Sequence, residues 1–212
     1  ADSASYVDGF ESVFVANNST DVTEINDRLA EGLHVVLAPG VYRLPAPIVI
    51  GRNDSKYQVL LGLGMATLVP MQGGAALHVN DAPGVRIAGI LLEAGPVASD
   101  ALMTVGTTPE AGEPKNPVLL SDVHARVGGP GVDPKTGLGP PVAAKAMIKI
   151  HMSNVVLDNV WLWRADVQNE HRTRDCEHGL VVNGHNVTAY GLAAEHTQSD
   201  HVVWNGEQGR VY

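Results

Sequence analysis

Apolar residues in this chain recur with two different periods. Between Asp21 and Gly32, in "STDVTEINDRLAEG", Val22, Ile25 and Leu29 fall on one face at helical spacing. Asp21 is placed to cap the helix, with Glu24 three residues on at capping-box spacing, and Gly32 is placed to end it. A short helix over about 20–32 is therefore expected. From Leu33 onward the period drops to two. "LHVVLAPGVYRL" reads as strand, Pro-Gly turn, strand, and "APIVI", "QVLLGLGMATLVP" and "ALHVN" follow as short apolar runs between turn residues. No second segment has a convincing helical period.

The later strands repeat. "VRIAGILLEAG" (85–95), "VLLSDVHARVG" (118–128), "VVLDNVWLWRA" (155–165) and "VTAYGLAAEHT" (187–197) align without gaps. Each has an apolar strand, a turn-like residue and a second alternating strand. The turn-like residues Gly89, Asp122, Asn159 and Gly191 are 33, 37 and 32 residues apart in succession. Side chains alternate along a strand, so the positions one and three after the turn residue share a face. These are Ile90 and Leu92, Val123 and Ala125, Val160 and Leu162, Leu192 and Ala194, all suited to an interior. The positions two and four after it are Leu91 and Glu93, His124 and Arg126, Trp161 and Trp163, Ala193 and Glu195, mostly large or polar. A strand repeat with a fixed interior phase and long, irregular insertions implies a parallel solenoid, whose coils bury their inner faces by stacking about 4.8 Å apart.

Composition narrows the function. The 212 residues suffice for one domain, 1–212, with a sizeable core. Charged residues are only 17%, with 23 Gly and 13 Pro, as a turn-rich solenoid requires. The net charge of −9 argues against nucleic acid as a partner. No apolar run approaches the roughly 20 residues of a membrane span, so no membrane partner is expected. The lone Cys176 excludes an internal disulfide and a cysteine-based zinc cluster. Sequons at Asn17, Asn18, Asn53 and Asn186 are compatible with secretion, and an extracellular location is expected.

The helix leading into "GLHVVLAPGVYRL" resembles the N-terminal cap and first coil of right-handed parallel β-helix proteins of the pectate-lyase-like superfamily. "GVRIAGILLEAG" and "NVVLDNVWLWRAD" resemble later coils of that fold. "HGLVVNGHNVTAYGLAAEHTQSDHVVWNGEQGRVY" is similar to proteins related to glycoside hydrolase family 55, the β-1,3-glucanases. The resemblance covers about residues 20–212. It implies a right-handed parallel β-helix and a glucan substrate. In that family two tandem β-helices flank the cleft and a glutamate is the general acid; the resemblance alone does not put that acid on a numbered residue here. The sequence stops at "GEQGRVY" within a strand pattern. An open solenoid end exposes apolar interior, so a second β-helix domain or chain covering that end is expected.

Candidate chemistry gathers four positions after the bend, where Glu93, Arg126, Trp163 and Glu195 occupy successive coils. Glu93 beside Arg126 reads as a cross-strand ion pair, with Arg126 also within reach of a ligand. Trp161 and Trp163 point outward from one strand and suit stacking on a sugar face, unless a loop such as 127–144 covers them. Glycoside hydrolysis generally needs two carboxyl groups, and Glu195 and Asp166 end adjacent strands beside the tryptophans. Glu195 is assigned as general acid, with Trp163 as its desolvating neighbour, and Asp166 as partner base; His196 and Trp204 join the tryptophans as substrate-positioning residues. Extended geometry separates the two carboxyls by about 11 Å, so a bend after Trp163 is needed. The polar stretch "NEHRTRDCEH" (169–178) matches no named zinc or calcium spacing; no metal and no cofactor is expected.

The reading is a secreted glycoside hydrolase acting on a glucan-type polysaccharide. A polysaccharide lyase on an acidic polymer is the alternative, disfavoured by the negative field. A non-catalytic glycan-binding or assembly module is the third.

Overall fold

In the computed structural model, which describes residues 9–52, 57–129, 140–165 and 174–212, the alternating segments stack as coils. A short 3-10 turn at Phe10–Ser12 precedes β1 (Val13–Ala16) and α1 (Val22–Glu31). Then come β2 (His34–Leu37), β3 (Val41–Leu44), β4 (Ile48–Ile50), β5 (Gln58–Pro70), β6 (Leu77–Val79), β7 (Val85–Glu93) and β8 (Ser99–Val105). The later strands are β9 (Val118–Val127), β10 (Val142–Ile150), β11 (Val155–Arg164), β12 (Arg174–Val182), β13 (Thr188–Glu195), β14 (Val202–Trp204) and β15 (Arg210–Val211). They form two sheets. One runs β1-β2-β5-β7-β9-β11-β13-β15, with β3 also on β5; the other runs β4-β6-β8-β10-β12-β14. Every recorded pairing is parallel. Each coil therefore makes one pass through the first sheet and one through the second: the fold is the parallel β-helix expected from the repeat.

The long strands of the first sheet have two legs because their turn residues lie in the left-handed region. Their φ values are +68° at Gly89, +51° at Asp122, +54° at Asn159 and +61° at Gly191. Glycine takes this conformation freely, and Asn and Asp tolerate it better than other side chains do. The Asn159 amide also donates to Asp122 Oδ1 at 2.6 Å, so two stacked corners hold one another. The interior phase follows: Ile90, Leu92, Val123, Ala125, Val160 and Leu162 are buried. Leu192 and Ala194 share that phase but are only partly buried, because β15 pairs with Thr188 and Ala189 alone.

The helix sits against the start of the stack. Asp21 accepts from the Thr23 N–H at 2.7 Å, and Gly32 ends α1 with φ +97°. The expected capping box is half present, since Glu24 pairs with Arg28 at 3.8 Å. Val22, Ile25 and Leu29 are buried as the helical period requires. Asn26 completes the edge of the second sheet: its amide donates to the Pro47 carbonyl at 3.0 Å and accepts from the Val49 N–H at 2.9 Å. The strand–turn–strand reading of "LHVVLAPGVYRL" holds for its elements but not as neighbours. β2 and β3 lie along the two halves of β5, with Val35 opposite Leu60 and Val41 opposite Thr67, so Pro39-Gly40 is a coil corner.

Candidate functional site

The second legs of the first sheet carry the outward positions four after each bend, and register sets their order. Glu93 lies opposite Arg126, Arg126 opposite Trp163, and Trp163 opposite Glu195. The parallel row two residues earlier runs Leu91, His124, Trp161, Ala193. Adjacent strands are about 4.8 Å apart, so neighbours in each row touch.

Trp161 and Trp163 stack on one another, with centroids 5.4 Å apart and planes at 16°. His124 meets Trp161 edge-on at 6.2 Å. On the other side the row continues with Ala193, whose methyl leaves room beside the indole. Trp161 is 40% exposed and Trp163 is half-buried; most of the loop 127–144 lies outside the described residues. Gly129 passes close to Trp163: a Cβ there would be 3.9 Å from the indole ring.

The ion pair expected on one side of Trp163 is present. Arg126 Nη2 and Nε both donate to Glu93 Oε2, at 2.6 and 3.0 Å. On the other side stands Glu195. Its side chain is 44% exposed, more open than the desolvated acid anticipated, because Trp163 flanks it on one side only. His196 Nδ1 lies 3.9 Å from Glu195 Oε2, and His196 itself has φ +61°. The shelf, Glu195 and His196 thus come together at the end of the second legs, with Arg126 one strand away.

Asp166 lies outside the described residues, and so does its separation from Glu195. Trp204 is described and is not at the shelf. It lies opposite Val182 in the second sheet, continuing the inward column Ile50, Val79, Val105, Ile150, Val182. Its indole packs on the core, and its N–H is buried without a hydrogen-bond partner. Strand β14 is only three residues long, too short for its phase to be read from alternation. The stretch 169–178 is only partly described, and from Arg174 onward it is strand β12 rather than loop. There Asp175 accepts from Gln198 Nε2 at 2.9 Å, and burial pushes the Cys176 thiol up to about 12. Among the described residues, no three His, Cys, Asp or Glu side chains converge as a metal site.

Two residues beside the shelf are not among the hydrolase site residues expected from the sequence. His124 flanks the shelf, and its outward phase beside Trp161 was the available signal. Arg164 donates to the His196 carbonyl beside Glu195; its signal was a cation at a position where the two preceding coils carry apolar residues.

Residues 13–212 match the family model described as the LAM55 pectate lyase-like domain. The chain is 37% identical over 201 residues to an exo-beta-1,3-glucanase of Streptomyces sp. (strain SirexAA-E / ActE), an alignment covering 93% of this chain and 31% of that protein. The solved structure of sacteLam55A from Streptomyces sp. SirexAA-E superposes with a TM-score of 0.82 at 35% identity, over 95% of this chain and 35% of that one. A variant of sacteLam55A in complex with glucose gives 0.84 at 36% identity over the same shares. The chain spans about a third of the length of these relatives.

Proposed function

This chain belongs to the LAM55 pectate lyase-like domain family, and from that premise we propose that it is the glucan-binding β-helix of a glycoside hydrolase cleaving a β-1,3-linked glucan, with Glu195 as a proton-handling carboxyl. The observation that carries this reading is the register of Trp163 opposite Glu195. It puts a carboxyl at the end of a stacked indole pair. An aromatic face binds the apolar face of a pyranose, and a carboxyl at its edge reaches the glycosidic oxygen. Trp161, Trp163 and His196 position the sugar, with the Arg126–Glu93 pair bounding the shelf. Asp166 is the second carboxyl in this proposal.

The relatives' greater length supports a further β-helix domain packed beside this one. Extracellular action belongs to the same reading, with sequons at Asn17, Asn18, Asn53 and Asn186 compatible with secretion. The net charge of −9 supports a neutral glycan over a polyuronate, which it would repel.

The test is reducing-sugar release from a panel of glucans and uronate polymers, with absorbance at 235 nm followed alongside. New reducing ends from β-1,3-glucan without absorbance, lost in Glu195→Gln, are expected. A rise at 235 nm on a uronate polymer would replace hydrolysis by β-elimination. Glucan binding without cleavage, unchanged in Glu195→Gln, would make the chain a binding module.

A further inference from the structure

The fifth position after each bend has the inward phase. It is Ala94 in one coil and Val127 in the next, both buried, then half-buried Arg164 in the third and exposed His196 in the fourth. Setting a guanidinium where the preceding coils bury small apolar groups is costly unless its donors are satisfied. Arg164 is half-buried there and directs two of its donors to backbone. Its Nε donates to the Arg174 carbonyl at 2.7 Å, and its Nη1 donates to the His196 carbonyl at 3.1 Å. One acceptor is the first residue of β12, the other the residue directly after β13. A single side chain thereby ties its own strand to the following pass of the second sheet and to the turn of the next coil.

That turn is the one that follows Glu195. His196 holds φ +61°, a conformation uncommon for a residue with a Cβ. Beyond it, the turn is fastened to β12 by Gln198, whose N–H donates to the Cys176 carbonyl at 2.9 Å and whose Oε1 accepts from the Cys176 N–H at 2.8 Å. Gln198 fixes the far side. Arg164 fixes the near side, one residue from the carboxyl. The polar side chain at this position of the third coil thus aims its donors at the backbone beside the candidate catalytic group.

We propose that Arg164 is the positioning residue for Glu195: its planar fork holds the His196 carbonyl, fixes the left-handed turn and so aims the Glu195 carboxyl at a sugar stacked on Trp161 and Trp163. The inference rests on the reading of Glu195 as the proton-handling carboxyl. Arg164 touches no substrate; it acts through the backbone. Lysine keeps the charge and much of the stem but has no planar fork to span both carbonyls.

The experiment measures kcat, KM, the pH profile and thermal midpoint on β-1,3-glucan for wild type, Arg164→Ala, Arg164→Lys, Glu195→Gln and the Arg164→Ala/Glu195→Gln double variant, with and without added guanidinium ion. Misplacing a reacting group by about 1 Å costs on the order of a hundredfold. Arg164→Ala is therefore expected to lose about tenfold to a hundredfold in kcat, with KM within about threefold. Guanidinium restores part of that loss, Arg164→Lys is intermediate, and the pH-profile limb assigned to Glu195 moves. The double variant is no slower than Glu195→Gln alone, because a group already removed cannot be misplaced. A kcat for Arg164→Ala within about twofold of wild type overturns the proposal. So does a loss that adds in full to that of Glu195→Gln, or one that follows the thermal midpoint and is not rescued. If Arg164→Ala does not fold, Arg164→Lys carries the same reading. An active Glu195→Gln overturns the role of Glu195 and the positioning with it. An inactive Glu195→Gln beside an unaffected Arg164→Ala overturns the positioning alone.

Discussion

The two sheets build their outer faces from the same ladder and use it differently. On the second sheet, Asp100 of β8 meets two lysines of β10: Lys149 Nζ at 2.5 Å and Lys145 Nζ at 3.5 Å. Farther along, His78 Nδ1 meets Thr104 Oγ1 at 2.7 Å. The row answers itself. On the second legs of the first sheet, Glu93 and Arg126 also close on each other. Then the pattern stops: the next two members are Trp163 and Glu195, an aromatic and a carboxylate with no mutual bond. No Lys or Arg ion pair to Glu195 is found among the described residues; His196 Nδ1 lies 3.9 Å from its Oε2. Stacking spaces neighbours at contact distance everywhere. Function is therefore to be sought where a row fails to complete itself, because there the side chains keep their capacity for an outside molecule.

The sharpest way to break this comparison is to remove one carboxylate from each face. Glu195→Gln is expected to lower kcat by about 10²–10⁴, the usual contribution of a positioned acid or base. Asp100→Asn leaves the rate unchanged, since Asp100 belongs to a closed row on another sheet. Equal losses in reducing-sugar release would show that the two rows do not differ as described. The next largest effect is on stability. Leu162 lies between the two tryptophans in sequence and is fully buried. Leu162→Ala removes methyl groups from a close-packed interior and is expected to cost about 2–5 kcal/mol in denaturant unfolding. Because each coil is stabilised by its neighbours, the loss also loosens the coils on both sides. A cost under about 1 kcal/mol would mean that the coil collapses around the gap.

Much of this architecture is written locally. Alternation sets the interior phase, and Gly89, Asp122, Asn159 and Gly191 mark the bends because few residue types accept φ near +60°. Both signals repeat, so each coil reinforces the reading of the last. Where the signal is short or mixed, it fails. The three residues of β14 do not reveal that Trp204 faces inward. Polar residues hide the strand at 174–178, where Arg174 and Cys176 are nonetheless buried at period two. Strand β5 bends through two left-handed residues, Gly64 at +60° and Met65 at +57°, and shifts register between Leu61 and Ala66 against β7. It was therefore no match for the repeat. The shelf and Glu195 were legible because outward phase is as periodic as inward phase. Arg164 was legible in phase as well, but its partners are backbone carbonyls of distant residues, which no alternation encodes.

The shelf gives a smaller, more selective effect. Trp161 is exposed and stacked on Trp163, so Trp161→Ala removes sugar-stacking area with little loss of core. Aromatic stacking contributes about 0.5–1.5 kcal/mol, and oligosaccharide affinity is expected to fall about threefold to tenfold in calorimetry, with the unfolding midpoint nearly unchanged. Trp161→Phe should retain part of the affinity. An unfolding midpoint that falls while affinity holds would make the indole pair structural, and would move the first sheet's row into the same class as the second's.

The smallest effect tests whether the closed row is electrostatic at all. The hydrogen bond from Lys149, helped by its charge and by Lys145, holds the Asp100 carboxyl below its ordinary value of 3.8. The unfolded chain has no such partner. The stabilisation is thus fully present above the unfolded value and disappears as the pH falls through the lower folded one. Asp100's side chain is 64% exposed, so solvent screening limits the contribution to a few tenths of a kcal/mol, roughly 1 °C in the unfolding midpoint. Asp100→Asn should melt slightly below wild type at pH 7, and the difference should fade as the pH drops below the ordinary carboxylate range and shrink in about 1 M salt. A difference that survives acid and salt would trace the effect to packing of the Asp100 stem. The second sheet would then carry no completed charge row, and the contrast with Glu195 would rest on the tryptophans alone.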